Sequence, residues 1–104
     1  MPKMSVSVSH ALSEQEAAER LKKFLAFIQD KYKSQFSNLE QTWVGNVLNF
    51  GFTTFGFPIK GSMSILPTEV KVDGDLPFAA MMFKGKIEQT IKDNLSRELT
   101  RELT

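Results

Sequence analysis

NVLNFGFTTFGFPIKGSMSI, at residues 46–65, has the pattern of a β-hairpin. Every second residue from 48 to 52 is apolar, and the alternation resumes over residues 59–65 after a turn near Gly56. A period of two is typical of strands that bury one face. The stretch therefore predicts two antiparallel strands joined by a hairpin.

The predicted meander extends on both sides of this hairpin. A strand that contains Leu39 and Trp43 precedes it, and Gly45-Asn46 is predicted to form the turn between them because both residue types tolerate a positive φ. Pro67 interrupts the pattern, and the apolar residues at 70 and 72 predict a last strand. We expect Asp73-Gly74-Asp75 to end that strand as a turn. The middle of the chain thus predicts four antiparallel strands, each covered on one face.

The flanking segments predict one strand and two helices. Residues 4–8 alternate apolar residues with serines, and Ser13 with Glu16 fits a capping box before a helix with one apolar stripe. At the other end, Pro77 suits a first helical turn that Asp75 is placed to cap. The last helix repeats an apolar residue every four positions: Phe83, Ile87, Ile91, Leu95, Leu99 and Leu103. Residues 97–104 are a tandem duplication of Arg-Glu-Leu-Thr, which we expect to fray.

These elements predict the order β-α-β-β-β-β-α. The fold class is therefore α+β, with an antiparallel sheet and two helices on one of its faces. This order is similar in topology to a trimmed helix-grip fold. The 104 residues are the usual size of one domain, so we expect a single domain over residues 1–104.

The composition argues against several classes of function. Lys plus Arg is 13 and Asp plus Glu is 12, and this balance argues against nucleic acid or an anionic membrane as a partner. The absence of cysteine excludes disulfides and thiolate metal sites. No apolar run reaches the roughly 18–20 residues of a spanning helix, and the polar first ten residues do not resemble a signal peptide. We therefore expect a cytoplasmic protein without a membrane span and without a cofactor.

Three stretches carry a family resemblance. They are the opening MPKMSVSV, the segment WVGN at residues 43–46 with the aromatic and glycine residues that follow it, and the run DGDLPFAAMMFKGKIE at residues 73–88. Together they resemble the polyhydroxyalkanoic acid system proteins of bacteria, and the similarity covers the chain up to the duplicated tail. The resemblance implies association with polyhydroxyalkanoate storage granules or a regulatory role there. It carries no catalytic residue over to this chain.

The stretch Phe78-Ala79-Ala80-Met81-Met82-Phe83 is the main candidate for a binding surface. An unbroken apolar run of this length exceeds what one helical face needs, and methionine adapts to varied apolar surfaces. Two interpretations stay open. The segment is either wedged between the sheet and the first helix, or it contacts a ligand or a granule.

Phe55 and Phe57 are secondary candidates because they flank Gly56 at the predicted hairpin tip. They either fold back over the sheet edge or insert into a lipid or polymer surface, where the lack of a basic rim would make a weak anchor. Gly51 and Gly61 lie inside predicted strands. They mark either a bend that curves the sheet, if they lie opposite each other, or plain tolerance of glycine.

No residue pattern predicts a catalytic site. His10 is the single histidine and is expected at a strand end, without a catalytic or metal-binding role. Asp73 and Asp75 are better explained by a turn and a helix cap than by calcium binding or acid–base chemistry. We therefore do not expect an enzyme.

Two hypotheses of function follow. The first is a non-enzymatic binding protein that contacts polyhydroxyalkanoate granules or their proteins through an apolar surface. The second is a small carrier that holds an apolar or acyl ligand between a curved sheet and the last helix. The proposed apolar contact or ligand-binding residues are Phe78, Met81, Met82, Phe83, Phe55 and Phe57. The two edges of an open sheet leave a homodimer as a further option.

Overall fold

A computed structural model describes residues 3–35, 37–54 and 56–100. The strands are β1 (Lys3–Ser9), β2 (Ser37–Val44), β3 (Val47–Thr54), β4 (Phe57–Ile65) and β5 (Glu69–Asp75), and the helices are α1 (Glu14–Lys31) and α2 (Lys84–Thr100). Short 3₁₀ turns lie at Lys33–Gln35 and Phe78–Phe83. The structure confirms the α+β class and the predicted order of elements.

The five strands form one antiparallel sheet in the order β1-β5-β4-β3-β2. The meander from β2 to β5 is as predicted, and β1 is added at the outer side of β5. Val6 lies opposite Val72, Val72 opposite Met63, and Met63 opposite Leu48. Residues that lie directly opposite share one face of a sheet. We call the face that carries this row the inner face and the other the outer face.

Both helices pack on the inner face. Ala17 and Leu21 of α1 are buried in one cluster with Leu95 and Leu99 of α2, and the inner-face strand residues belong to the same cluster. The spacing of three and four residues places the apolar side chains of each helix on one stripe. The predicted arrangement of two helices on one face is therefore confirmed. Of the duplicated tail, residues 97–100 form the last turn of α2, and residues 101–104 lie outside the described residues.

The beginning of α1 is held by its cap and by the β2–β3 turn. The Ser13 hydroxyl accepts a hydrogen bond of 3.1 Å from the Glu16 N–H, as the capping box predicts. The Glu16 carboxylate instead accepts from Arg20 at 3.2 Å, so only the Ser13 half of the box is formed. The side-chain amide of Asn46 donates to Glu14 at 2.8 Å, which ties the turn to the helix.

The Gly45-Asn46 turn is formed as predicted, with Gly45 at φ +59°. Asn46 does not share the positive φ, and a positive φ at the first central residue alone is the pattern of a type II′ turn. The glycine of the second hairpin, Gly56, has φ +80°.

The segment between β5 and α2 differs from the prediction. Asp73, Gly74 and Asp75 belong to β5, and Asp75 lies opposite both Lys3 of β1 and Lys60 of β4. Pairing on both sides holds this stretch extended, and that overrides the turn preference of Asp and Gly. Pro77 stands at the cap position of the following 3₁₀ turn, which has no side-chain cap, and the α-helix begins only at Lys84. The prediction that Asp75 caps a helix was therefore wrong.

Gly61 is required by close packing within the sheet. It lies opposite Gly74 and Phe50 rather than Gly51, so the expected glycine pair does not exist. A Cβ at Gly61 would collide with the backbone oxygen of Asp73 and would lie 2.8 Å from the Phe50 ring. At Gly51 the nearest atom would be 3.6 Å away, which is an ordinary contact. The close approach of neighbouring atoms explains Gly61.

Candidate functional site

The candidate site is built on the 3₁₀ turn Phe78–Phe83. The Ala80 N–H donates to the Pro77 oxygen at 2.9 Å, and the Lys84 N–H donates to the Met81 oxygen. In a 3₁₀ helix, residues three apart are eclipsed and form three ridges. Ala80 is buried, but Phe83, three residues later on the same ridge, is 54 % exposed. The ridges of Phe78 with Met81, and of Ala79 with Met82, face solvent.

Four large apolar side chains of this turn are exposed. The exposed fractions are 76 % for Phe78, 47 % for Met81, 82 % for Met82 and 54 % for Phe83. We call these four residues the apolar segment. Of the two interpretations that the sequence left open, a segment wedged between the sheet and the first helix is wrong. Apolar side chains exposed side by side are typical of interaction surfaces.

The apolar segment rests on buried neighbours and is followed by basic residues. Leu76, two residues before it, is fully buried, and Ala80 lies buried within the turn. The first turn of α2 contains Lys84 and Lys86 and no acidic residue. Cations at the amino end of a helix oppose the helix dipole and cost about 0.3–1 kcal/mol. Helix stability alone therefore does not account for these lysines.

The apolar segment lies at the end of the sheet from which the β3–β4 hairpin extends. β5 ends at Asp75, level with Lys60 of β4. Beyond this level β3 and β4 continue, with Phe52 opposite Ile59. The chain leaves β5 at this level and enters the apolar segment three residues later.

Of the two candidate residues at the hairpin tip, Phe55 and Phe57, the structure describes only Phe57. Phe57 is the first residue of β4 and its side chain is half-buried. Phe55 lies outside the described residues. The neighbouring rings of Phe50 and Phe52 stack, with centroids 6.2 Å apart. Whether the hairpin tip contacts a partner stays a prediction.

Two exposed apolar residues were not predicted. Phe27 is 58 % exposed on α1 and Val44 is 65 % exposed at the end of β2. Phe27 does not fall on the stripe formed by residues 17, 18, 21, 24, 25 and 28, so its exposure could have been read from the helical period. The Nζ atom of Lys31 lies 5.6 Å from its ring centroid. Val44 lies on the outer face, because its neighbour Trp43 lies opposite Leu48 on the inner face, so its exposure could have been read from the period of two.

The outer face of the sheet is polar and carries an open groove of about 700 Å³. Ser5, Asp73, Ser62 and Asn49 line it, and Glu88 borders it from α2. The Ser5 hydroxyl is 2.9 Å from a carboxylate oxygen of Asp73, and the Ser5 N–H donates to Glu88 at 3.1 Å. A second groove, of about 260 Å³, lies beside it and is also lined mainly by polar side chains. Neither groove suits an acyl chain, so the carrier hypothesis stays a prediction without a structural observation in its favour.

His10 has a structural role at the end of β1. One ring nitrogen, Nε2, lies 2.8 Å from the Leu66 oxygen, and the other accepts from the Leu12 N–H at 3.2 Å. This pattern corresponds to a neutral ring with the proton on Nε2. The histidine joins the β1–α1 connection to the β4–β5 connection. Within residues 3–35, 37–54 and 56–100, His, Asp and Glu side chains form no group of three that could hold a metal ion.

Comparison with known proteins identifies the family. In the described part of the chain, neither helix combines the length and the apolar character that crossing a bilayer requires. No curated protein matches the chain. The sequence model of the polyhydroxyalkanoic acid system proteins matches residues 4–99, which confirms the resemblance and implies association with the polyhydroxyalkanoate system. A match over nearly the whole length shows that this chain belongs to the family of polyhydroxyalkanoic acid system proteins.

Proposed function

We propose that this protein is a non-enzymatic binding protein that contacts polyhydroxyalkanoate granules, or a protein on their surface, through the apolar segment. One observation carries the proposal. A member of this family exposes four large apolar side chains on a single 3₁₀ turn. The proposal places the protein in the cytoplasm, at the granule surface.

The geometry of the apolar segment suits contact with an apolar phase. Phe78 and Met82 are the most exposed residues of the segment, at 76 % and 82 %, so most of each side chain is available for contact without a change in the fold. Full burial of each side chain contributes about 1.5–3 kcal/mol. Lys84 and Lys86 follow directly and would stay in water while the apolar side chains are buried.

The hairpin tip is proposed as a second contact. Phe57 is half-buried, and the chain leaves β5 for the apolar segment at the level beyond which the β3–β4 hairpin extends from the sheet. Phe55 and Phe57 would add to the contact if the tip and the apolar segment reach the same surface. The contribution of Phe57 is expected to be smaller, because part of its side chain is already buried.

Co-sedimentation tests the proposal with a matched pair of variants. The probes are protein-free polyhydroxyalkanoate particles and, separately, native granules with their proteins. Met82→Glu places a charge in the apolar segment, and Val44→Glu places the same charge at an exposed apolar residue outside it. We expect the wild type and Val44→Glu to sediment with the granules and Met82→Glu to stay in the supernatant.

The two probes separate the possible contacts. Binding to protein-free particles indicates the polymer itself, and binding to native granules alone indicates a granule protein. No binding of the wild type to either probe would contradict the proposal. Equal loss of binding in both variants would also contradict it, provided that circular dichroism shows both to be folded, because the loss would then follow from charge rather than position.

A further inference from the structure

The two edges of the sheet differ in how they are covered. At β1, α2 lies alongside the strand, and Glu88 accepts the outward N–H of Ser5 at 3.1 Å. At the opposite edge, no strand of the described residues pairs with the outer side of β2. An edge strand with free N–H and C=O groups is a template for another strand.

The register shows which β2 groups point outward. Val44 and Val47 close the two-residue turn, and residues in that position hydrogen-bond to each other. The backbone groups of Val44 and Thr42 therefore point toward β3. Those of Trp43 and Gln41, in the alternate positions, point away from the sheet. On the other side of β3, the Ile65 N–H donates to the Asn46 oxygen, so this oxygen points toward β4. The backbone groups of the next residue, Val47, then point toward β2, as this alternation requires.

The first part of β2 is protected and the second part is not. The pairing shifts between Ser37 and Glu40, and Asn38 within this bulge has φ +54°. Bulges of this kind blunt sheet edges. From Glu40 to Val44 the pairing is regular, and the strand has neither lysine nor proline there to discourage association.

We propose that β2 pairs antiparallel with β2 of a second copy of this chain, about a twofold axis at Gln41. Gln41 then faces Gln41 of the second copy, and Trp43 lies across from Leu39, where the bulge ends. Glu40 faces Thr42. Backbone groups that point away from the sheet in one copy can hydrogen-bond only to the same kind of group in the other copy. The alternative registers are therefore shifted from this one by two residues. One of them places Glu40 opposite Glu40, which is repulsive, and the other places Trp43 opposite Gln41.

The side chains at this seam are already positioned for pairing. Leu39 and Trp43 are half-buried and lie on either side of Gln41. The Nζ atom of Lys22 lies 4.8 Å from the Trp43 ring centroid and covers the ring from α1. A pairing of an aromatic residue with an aliphatic residue across strands is a favourable one. The proposal does not depend on the proposed granule contact, since β2 and the apolar segment are separate surfaces.

Disulfide trapping tests the register because the chain has no cysteine of its own. Gln41→Cys would place two thiols directly opposite each other, with Cα atoms about 5.5 Å apart, which is within disulfide range. Thr42→Cys would place its thiols on a diagonal beyond that range. We expect mild oxidation to convert Gln41→Cys, but not Thr42→Cys, into a covalent dimer of twice the 11.8 kDa chain mass.

Sedimentation equilibrium of the unmodified chain is the companion measurement. We expect the apparent mass to rise from 11.8 kDa toward twice that value with concentration. Gln41→Pro removes an outward N–H without breaking the β2–β3 ladder, so it should remain folded and monomeric. A wild-type chain that stays at 11.8 kDa up to about 1 mM, the range of a very weak complex, would overturn the proposal. Equal cross-linking of both cysteine variants would overturn it as well.

Discussion

Two neighbouring apolar stretches near the carboxyl end of the chain differ in burial. In Phe78–Phe83 the four large side chains are exposed, whereas Leu95 and Leu99 of α2 are buried. Residue type does not separate the two, since both consist of large apolar side chains. The difference is position, because α2 lies against the inner face of the sheet and the turn lies past the end of β5. Large apolar residues without a packing partner point to a role outside the fold.

The largest expected effect is on the buried side of this comparison. Leu95→Ala removes a side chain from the cluster that joins both helices to the sheet, and we expect the free energy of unfolding to fall by about 2–5 kcal/mol. Urea denaturation followed by circular dichroism measures it. A loss below about 1 kcal/mol would mean that α2 does not depend on the sheet for its stability.

Gly61→Ala tests the packing of the sheet, and we expect it to lower the free energy of unfolding by less than Leu95→Ala does. The added methyl group would collide with the backbone of Asp73 and with the Phe50 ring, so we expect a loss of about 1–3 kcal/mol in the same assay. The matched control is Gly85→Ala in α2, where no atom lies within 4 Å of the new Cβ. That variant should gain about 0.5–1 kcal/mol because alanine favours a helix. Equal effects of the two changes would refute the packing argument.

Ser13→Ala tests the cap of α1. The change removes the acceptor for the Glu16 N–H, and we expect a loss of about 1 kcal/mol in the unfolding free energy. Glu16→Gln is an informative companion, because glutamine can still close a capping box whereas the ion pair with Arg20 is lost. We expect it to change the free energy of unfolding by no more than about 0.5 kcal/mol, and a loss as large as that of Ser13→Ala would show that the ion pair, rather than the cap, holds the start of α1.

The smallest effect is expected on the exposed side of the comparison. Met82→Ala removes a side chain that is 82 % exposed, so the free energy of unfolding should change by no more than about 0.5 kcal/mol. The same denaturation experiment measures it, with Leu95→Ala as the reference. If Met82→Ala destabilises the protein as much as Leu95→Ala does, the apolar segment is a structural element and not a contact surface.

The sequence predicted the elements better than the site. Alternation in β1 and from β3 to β5 gave the strands, and Gly45 gave the first turn, because these signals are local. The turn prediction for Asp73 and Asp75 failed because pairing with strands on both sides is a long-range interaction. The close packing at Gly61 could not be predicted without the strand register, since only the pairing of β3 with β4 brings Gly61 opposite Phe50.

The candidate site was identified as a segment but not as a surface. The composition of Phe78–Phe83 is equally compatible with burial and with exposure, and the sequence offered no means of choosing. The end of β5 and the delayed start of α2 decide the outcome, because the 3₁₀ turn between them buries Ala80 but leaves its four large apolar side chains exposed. The exposure of Phe27 was predictable from the helical period, and that of Val44 from its alternation with Trp43.

The hydrogen bond from Ser5 to Glu88 occupies a backbone group at the β1 edge, so the two edges of the sheet differ in how readily they can pair with a further strand. A sheet with two free edges can add copies at both sides and continue into a fibre. Here the chain's own helix lies along one edge, so the proposed twofold contact at β2 would use the other edge and assembly would stop at two copies. A protein that is concentrated on a surface benefits from this limit, because crowding then produces closed pairs instead of open-ended polymers.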